Sequence, residues 1–308
     1  MPARMDESAR GVYVISVTPF ADDGAIDWGS LASLVEFYIG CGVHGITLLG
    51  MMGEAHKLAF DESARLVERA LQHVAGRVPV VVGVSAGGLV PLRNLAMRAM
   101  DAGASAVMVA PPAGLRTDDQ IFGYVRQVAA ALGPDVPFIY QDYPQSTAVY
   151  LSASLFARLA EALPSLVMLK LEDCPGLDKL TRIRADAAEA GRRRVSILAG
   201  NGGLYFPQFL QRGADGAMTG FAFPDVLAQV YERFVAGDTD GADDLYDRIL
   251  PLVVHEQQPG FGLALRKEIL RRRGAIGCAA ARQPGPALTA ADHTELDRLL
   301  ARWERARP

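Results

Sequence analysis

Lysine is scarce in this chain, and one of its four copies (Lys57, Lys170, Lys179, Lys267) sits where a lysine is costly. The stretch from Leu166 to Asp173 reads Leu-Val-Met-Leu-Lys-Leu-Glu-Asp, an apolar run with Lys170 near its end. A strand this hydrophobic is normally buried on both faces, as in a parallel sheet covered by helices. An ammonium is expensive there, and burial lowers a lysine's pKa toward the neutral amine. Nearly all the other positive charge is arginine. Arginine supplies no nucleophilic amine, whereas a desolvated lysine can attack a carbonyl and form a Schiff base. The competing reading is that Lys170 merely snorkels out of the strand end. Side chains alternate along a strand, so Met168, Lys170 and Glu172 share one face if the strand extends that far.

The elements that must position this lysine follow a simple alternation. Short β-rich runs at 12–17, 45–49, 78–83, 106–109, 136–140, 166–171, 195–199 and 216–218 are each followed by a helical pattern. Those helices are expected at 27–40, 61–74, 91–102, 117–132, 152–162, 177–189, 204–211 and 224–235, with Asp61 as a plausible N-cap of the second. No two strands lie close enough for a hairpin. Eight β/α units over residues 1–236 point to a (β/α)8 TIM barrel. A doubly wound open sheet is the rival, disfavoured because no GxGxxG follows the first strand. Residues 237–308 carry no strand signal and read as a helical extension of about three helices, at 242–256, 261–273 and 290–304, with a Pro/Gly-rich linker at 279–288.

Composition narrows the function classes. Half of the 308 residues are hydrophobic and 21% are charged, as in a compact globular enzyme. The net charge of -4 gives no reason to expect nucleic acid or an anionic membrane as partner. Cys41, Cys174 and Cys278 are odd in number and widely spaced, which fits a reducing compartment. The polar N-terminus lacks the apolar core of a signal peptide, and no uncharged apolar run approaches membrane-helix length, so the expected location is cytoplasmic. His44, His56, His73, His255 and His293 show no ligand spacing, so no metal is expected.

In such barrels the active site lies at the carboxyl ends of the strands. That rule selects the turn Gly50-Met51-Met52-Gly53-Glu54, whose backbone N–H groups could hold a carboxylate. It also selects Gln141-Asp142-Tyr143-Pro144 after strand five, and Lys170, Glu172 and Asp173 after strand six. After strand seven comes Gly200-Asn201-Gly202-Gly203, and after strand eight Thr219 and Gly220. His56 reads as an exposed loop residue, Cys174 has nothing to mark it as a nucleophile, and Arg271-Arg272-Arg273 reads as a charged helix end.

Taken together, these residues resemble the dihydrodipicolinate synthase/N-acetylneuraminate lyase family of Schiff-base lyases and aldolases. Thr18-Pro19-Phe20 matches the family's opening, and Gly50-x-x-Gly53-Glu54 its strand-two loop. Lys170 falls on the Schiff-base lysine, Gly200-Asn201 on the loop after strand seven, and the segment from Gly213 to Met218 on the approach to strand eight. The resemblance implies a small-molecule 2-oxo acid substrate, a covalent imine on Lys170 with no other cofactor, and a homo-oligomer, dimer or tetramer. The departures bear on substrate. Met51 and Met52 stand where the family has two hydroxyl residues that help hold a carboxylate. Gln141 aligns with the family tyrosine, with Tyr140 and Tyr143 as neighbours, and Tyr140 can replace it only if the strand bulges by one residue. Ser146 replaces the arginine of the lysine-pathway enzymes, Pro112 and Ala113 their paired tyrosines, and Glu172 is displaced by one from the usual Lys-Glu pair.

These losses argue against dihydrodipicolinate synthase itself, because dropping the arginine of a carboxylate pocket costs about 2–5 kcal/mol of affinity. The expected function is a Schiff-base lyase, aldolase or dehydratase acting on a pyruvate-type or 2-oxo-3-deoxy sugar acid. Proton transfer is open to Tyr140, Tyr143, Glu172 or a water held by Gln141. The substrate would be bound by Gly50, Met51, Met52, Ser146, Gly200, Asn201 and Met218. The alternatives are a binding protein on the same barrel with little or no catalysis, separable by turnover on 2-oxo acids, and a phosphate-sugar enzyme using residues 200–203 as a phosphate cradle.

Overall fold

The computed structural model describes residues 4–307; the first three residues and Pro308, the outer ends of the expected barrel and extension, lie outside them. Eight parallel strands close into a barrel in chain order. They are β1 (Gly11–Ile15), β2 (Gly45–Leu48), β3 (Val80–Gly83), β4 (Ala106–Val109), β5 (Phe138–Asp142), β6 (Leu166–Leu171), β7 (Ser196–Ala199) and β8 (Gly216–Thr219). Helices lie between successive strands, and three more (Thr239–Glu256, Gly262–Arg272 and Ala290–Ala306) form the C-terminal extension. The fold is therefore the (β/α)8 barrel that the alternation implies.

Two apolar layers follow from the strand period. Tyr13, Ile15, Val81, Met108, Ile139 and Leu198 fill the barrel interior, while the larger cluster, with Val12, Val14, Ile46, Val82, Phe138 and Leu169, packs strands against helices. Residues of alternating parity thus serve both faces, which is why the strands read as continuous hydrophobic runs.

The phase changes once. Along the β5–β6 pairing, Phe138 opposes Leu166 but Ile139 opposes Met168, leaving Val167 as an extra residue. Leu166 faces the helices, whereas Val167 and Met168 both belong to the interior cluster. Without that irregularity strict alternation from Leu166 would turn residue 170 outward. The bulge resets the phase, so Lys170 and Glu172 point into the barrel. A bulge in β5 would have brought in Tyr140; it lies instead in the neighbouring strand. β5 itself alternates regularly, with Phe138 and Tyr140 in the outer cluster and Ile139 in the inner one.

Some element bounds differ from expectation. β5 begins and ends two residues later, which places Gln141 and Asp142 inside the strand. Asp61 is not the N-cap of its helix; Ala59 occupies that position, and its N–H donates to Glu62 Oε2 at 2.9 Å. Asp61 sits in the first turn, where its charge suits the helix N-terminus. A four-residue helix, Pro144–Thr147, follows β5 and was not expected.

The extension is fastened to the barrel by buried charge. Lys267 Nζ lies 2.6 Å from Glu54 Oε1, and both side chains are fully buried. The other oxygen, Glu54 Oε2, accepts from Lys57 Nζ at 2.8 Å and from the Arg282 N–H at 3.0 Å. The linker is thereby tied to the loop after β2. Among the described residues no helix is long and apolar enough to cross a membrane.

Candidate active site

Lys170 stands at the carboxyl end of β6, 2% exposed, with its Nζ 2.9 Å from Glu172 Oε2. The same oxygen accepts from Gln141 Nε2 at 2.7 Å. Glu172 Oε1 lies 3.4 Å from the Asn201 N–H, and Asn201 Nδ2 donates to the Glu172 carbonyl at 2.7 Å. Lysine, carboxylate and amide therefore form one buried cluster held from β5, β6 and the loop after β7. Gly200 makes room for it: a Cβ there would stand 2.1 Å from Glu172 Cγ.

Two cavities meet at this cluster. A small one of about 80 Å³ is lined by Lys170, Glu172, Gln141, Tyr143, Asn201 and Arg266, among others. A larger one of about 420 Å³ shares Met51 and Gln141 with it and extends past Gly50, His56, Ser85 and Ser146. Met51 and Met52 both border the small cavity. Their loop is a short turn in which the Gly53 N–H donates to Gly50 O and the Glu54 N–H to Met51 O.

The expected site residues separate into three groups. Lys170, Gln141, Glu172, Tyr143, Met51, Met52 and Asn201 line the small cavity. Gly50 and Ser146 line the larger one, as does the exposed His56. Tyr140, Gly200 and Met218 line neither of the two cavities. Met218 packs in the barrel interior, and its neighbours Thr219 and Gly220 reach the cavity instead. Tyr140 packs in the outer layer with its hydroxyl buried and unpartnered. Burial pushes that phenol well above its ordinary pKa. Tyr143 is also raised, by burial and then by the Glu172 charge, but it is half-buried and faces the cavity.

Behind β5, Asp142 points away from Gln141 toward Lys179, whose Nζ is 2.7 Å from Asp142 Oδ2 and 2.5 Å from Asp173 Oδ2. Burial pushes Asp142 up to about 6, with Lys179 opposing. The pair braces the ends of β5 and β6, and the Glu172 N–H donates to the Asp142 carbonyl at 2.9 Å.

Arg266 and Gln257 were not anticipated. Both come from the extension and line the small cavity with Lys170. Gly262 allows the tight return between their helices, since a Cβ there would meet the Glu256 carbonyl oxygen at 2.0 Å. The run Arg266-Lys267-Glu268 reads locally as part of a solvated face, in a helix that also ends in Arg271-Arg272, yet all three residues are at most 5% exposed. Among the described residues no group of three or more His, Cys, Asp or Glu side chains is arranged to hold a metal ion.

Comparison with known proteins places this geometry. A model of the dihydrodipicolinate synthetase family matches residues 8–302. An L-2-keto-3-deoxyarabonate dehydratase from Azospirillum brasilense is 34% identical over 312 residues, covering 96% of each chain. A 4-hydroxy-tetrahydrodipicolinate synthase from Syntrophobacter fumaroxidans is 31% identical over 246 residues, 79% of this chain and 81% of its own. The crystal structure of a dihydrodipicolinate synthase from Rhodopseudomonas palustris superposes with a TM-score of 0.95 at 44% identity, covering 97% of this chain and 99% of that one. The chain belongs to the dihydrodipicolinate synthetase family, whose members are lyases that work through a lysine Schiff base.

Proposed function

We propose that this protein dehydrates a 2-oxo-3-deoxy sugar acid through an imine on Lys170. The observation that carries the reading is the buried Lys170 amine, 2.9 Å from the Glu172 carboxylate and lining a small cavity that shares Met51 and Gln141 with a larger one. Lys170 Nζ, once neutral, attacks C2, and the carbinolamine loses water to give an iminium. The iminium draws electrons from C3, so a base removes a C3 proton and an enamine forms. The enamine expels the C4 hydroxyl as that oxygen takes up a proton, and water then hydrolyses the imine to free Lys170. One water is lost from the substrate overall. Glu172 is the group within hydrogen-bond reach of the lysine that can take and return these protons. Gln141 orients that carboxylate and has no proton to give near neutral pH.

Dehydration is favoured over synthase chemistry by what the larger cavity contains. Ser146 stands where the lysine-pathway enzymes have an arginine, and it lines that cavity. Of the two relatives above that cover at least 96% of this chain, the Azospirillum brasilense protein is an L-2-keto-3-deoxyarabonate dehydratase and the Rhodopseudomonas palustris one a synthase, so the cavity residues carry the choice. We expect the small cavity to hold the reacting carbons and the larger one the hydroxylated remainder. The protein is proposed to act without a further cofactor, in the cytoplasm, and as a homo-oligomer, dimer or tetramer.

The test is borohydride reduction in the presence of pyruvate and a panel of 2-oxo-3-deoxy sugar acids, read by peptide mass, together with product analysis by NMR. An adduct on Lys170 and a product retaining every carbon support dehydration. Pyruvate plus an aldehyde as products would mean aldol cleavage. Imine formation without turnover on any panel member would favour the binding-protein alternative, and labelling confined to Lys57, Lys179 or Lys267 would remove the reading. Lys170→Arg should abolish labelling, because a guanidinium is not a usable nucleophile.

A further inference from the structure

Arg266 reaches from the helix Gly262–Arg272 into the cavity that holds Lys170, and it is 5% exposed. Its three nitrogens have unequal partners. Nε donates to Glu256 Oε2 at 2.9 Å and Nη2 to Gln257 Oε1 at 2.7 Å. Nη1 lies against Met52 Sδ. A thioether is a weak acceptor, so one end of a buried cation has no oxygen partner among the described residues. Glu256, itself 1% exposed and facing the Ala222 N–H at 3.3 Å, fixes the guanidinium from behind. Assembling such a pair away from water is costly, and a well-packed apolar pair would serve stability as well.

We propose that Arg266 Nη1 binds the C1 carboxylate of the 2-oxo acid while Lys170 carries C2. This rests on the imine reading above and adds the residue that recognises the acid. C1 is one bond from C2, so whatever holds C1 must share the compartment of Lys170. That compartment is the smaller, about 80 Å³ against about 420 Å³, and among its described lining residues the cations are Lys170 and Arg266. Glu172 lies in the same compartment and repels a carboxylate, and the iminium's charge is lost when C3 gives up its proton and the neutral enamine forms, so a second cation is needed there to hold the carboxylate through that step. Met52, which stands where the family has a hydroxyl, is the side chain in contact with Nη1. The hydroxyl contact is thus exchanged for a guanidinium supplied by the extension. The thioether beside it keeps the site without a competing oxygen until substrate arrives.

The experiment compares borohydride trapping at Lys170 by pyruvate and by hydroxyacetone, which offers the same ketone without a carboxylate. In Arg266→Met the pyruvate concentration for half-maximal labelling should rise roughly 10- to 100-fold, the usual worth of a hydrogen bond to a charged group, while that for hydroxyacetone stays nearly the same. Arg266→Lys should recover part of the loss, since a point charge replaces the fork. Arg266→Met leaves Glu256 buried without its cation, so Arg266→Met/Glu256→Gln is measured beside it. An unchanged pyruvate requirement in either folded variant overturns the proposal. Equal weakening of pyruvate and hydroxyacetone also overturns it, because Arg266 would then be positioning Lys170 and not reading the carboxylate. Failure of both ketones to label Lys170 in the unaltered protein is a different result: it removes the imine reading itself.

Discussion

Exchanging Glu172 for glutamine alters one atom of the buried cluster and should separate imine formation from proton transfer. The carboxylate accepts from Lys170 Nζ at 2.9 Å and from Gln141 Nε2 at 2.7 Å through a single oxygen. A glutamine keeps the shape and one acceptor oxygen but can neither take nor return a proton. A positioned acid–base group contributes about 10²–10⁴-fold, so turnover should fall at least roughly 100-fold, about 2.7 kcal/mol in the barrier. Lys170 remains in place, and the variant should still be trapped by pyruvate and borohydride. Tyr140→Phe is the matched control. That hydroxyl is buried, unpartnered and in the layer between strands and helices. Its removal relieves an unsatisfied polar group, so stability should hold or rise and turnover should change little. The paired assay is steady-state dehydration of the best 2-oxo acid beside intact-mass trapping. A disabled Tyr140→Phe next to a nearly normal Glu172→Gln would refute the assignment and return the proton shuttle to tyrosine.

Three further outcomes are expected. With pyruvate and aspartate semialdehyde, condensation should be negligible beside a genuine synthase; robust synthase turnover would show that Ser146, Pro112 and Ala113 have been misread. Lys267→Met leaves the buried Glu54 with fewer cationic partners and should lower the urea-unfolding free energy by about 3–5 kcal/mol; a change under about 0.5 kcal/mol, as at an ordinary surface site, would contradict a fastening role. Burial pushes Glu256 up to about 7 from the ordinary 4.5, against the opposing pull of Arg266. Its folded state therefore holds a proton that the unfolded chain releases, and its contribution to stability falls as pH rises from about 4.5 to 7. Relative to Glu256→Gln, the unaltered protein should lose stability across that window in pH-dependent urea melts; a difference that grows with pH would have the opposite sign to this mechanism.

How far the sequence could be read depended on whether polarity and burial agreed. They agree in β6, where every residue from Leu166 to Leu171 is buried and only Lys170 is polar, and its bounds match the expected ones. They disagree in β5. Pro137 has no N–H for the ladder, so the regular strand starts at Phe138, and its polar last residues, Gln141 and Asp142, are buried because they serve the site and its brace. A hydrophobic pattern therefore ends the strand too early. The same conflict hid Arg266, since three adjacent charges in a helix normally mark a solvated face. Here Lys267 is matched by Glu54 and Arg266 by Glu256, partners on other elements, while only Glu268 is matched within its own helix, by Arg271 and Arg272. Pairing across the fold has no local period, so no periodic pattern announces it. The bulge at Val167 was equally invisible, because Val-Met-Leu is apolar in either phase.

That bulge also explains why two departures from the family pattern belong together. The resemblance places a tyrosine where Gln141 stands and a carboxylate directly after the lysine. In this chain β5 is regular, so position 141 faces the cavity and position 140 does not. Glu172, two residues beyond Lys170, shares its inward face, whereas a carboxylate at position 171 would point to the helices with Leu171. A glutamine at 141 without an inward carboxylate would leave the lysine with no proton acceptor from these two strands. An inward carboxylate beside a tyrosine ring would have to share the space that Gln141 now uses to donate at 2.7 Å. Gly200 completes the set, because any side chain there would overlap Glu172. Gln141, Glu172 and Gly200 thus fit one another, and under the proposed mechanism they would move the proton-handling group from one strand to the next while leaving the lysine where it was.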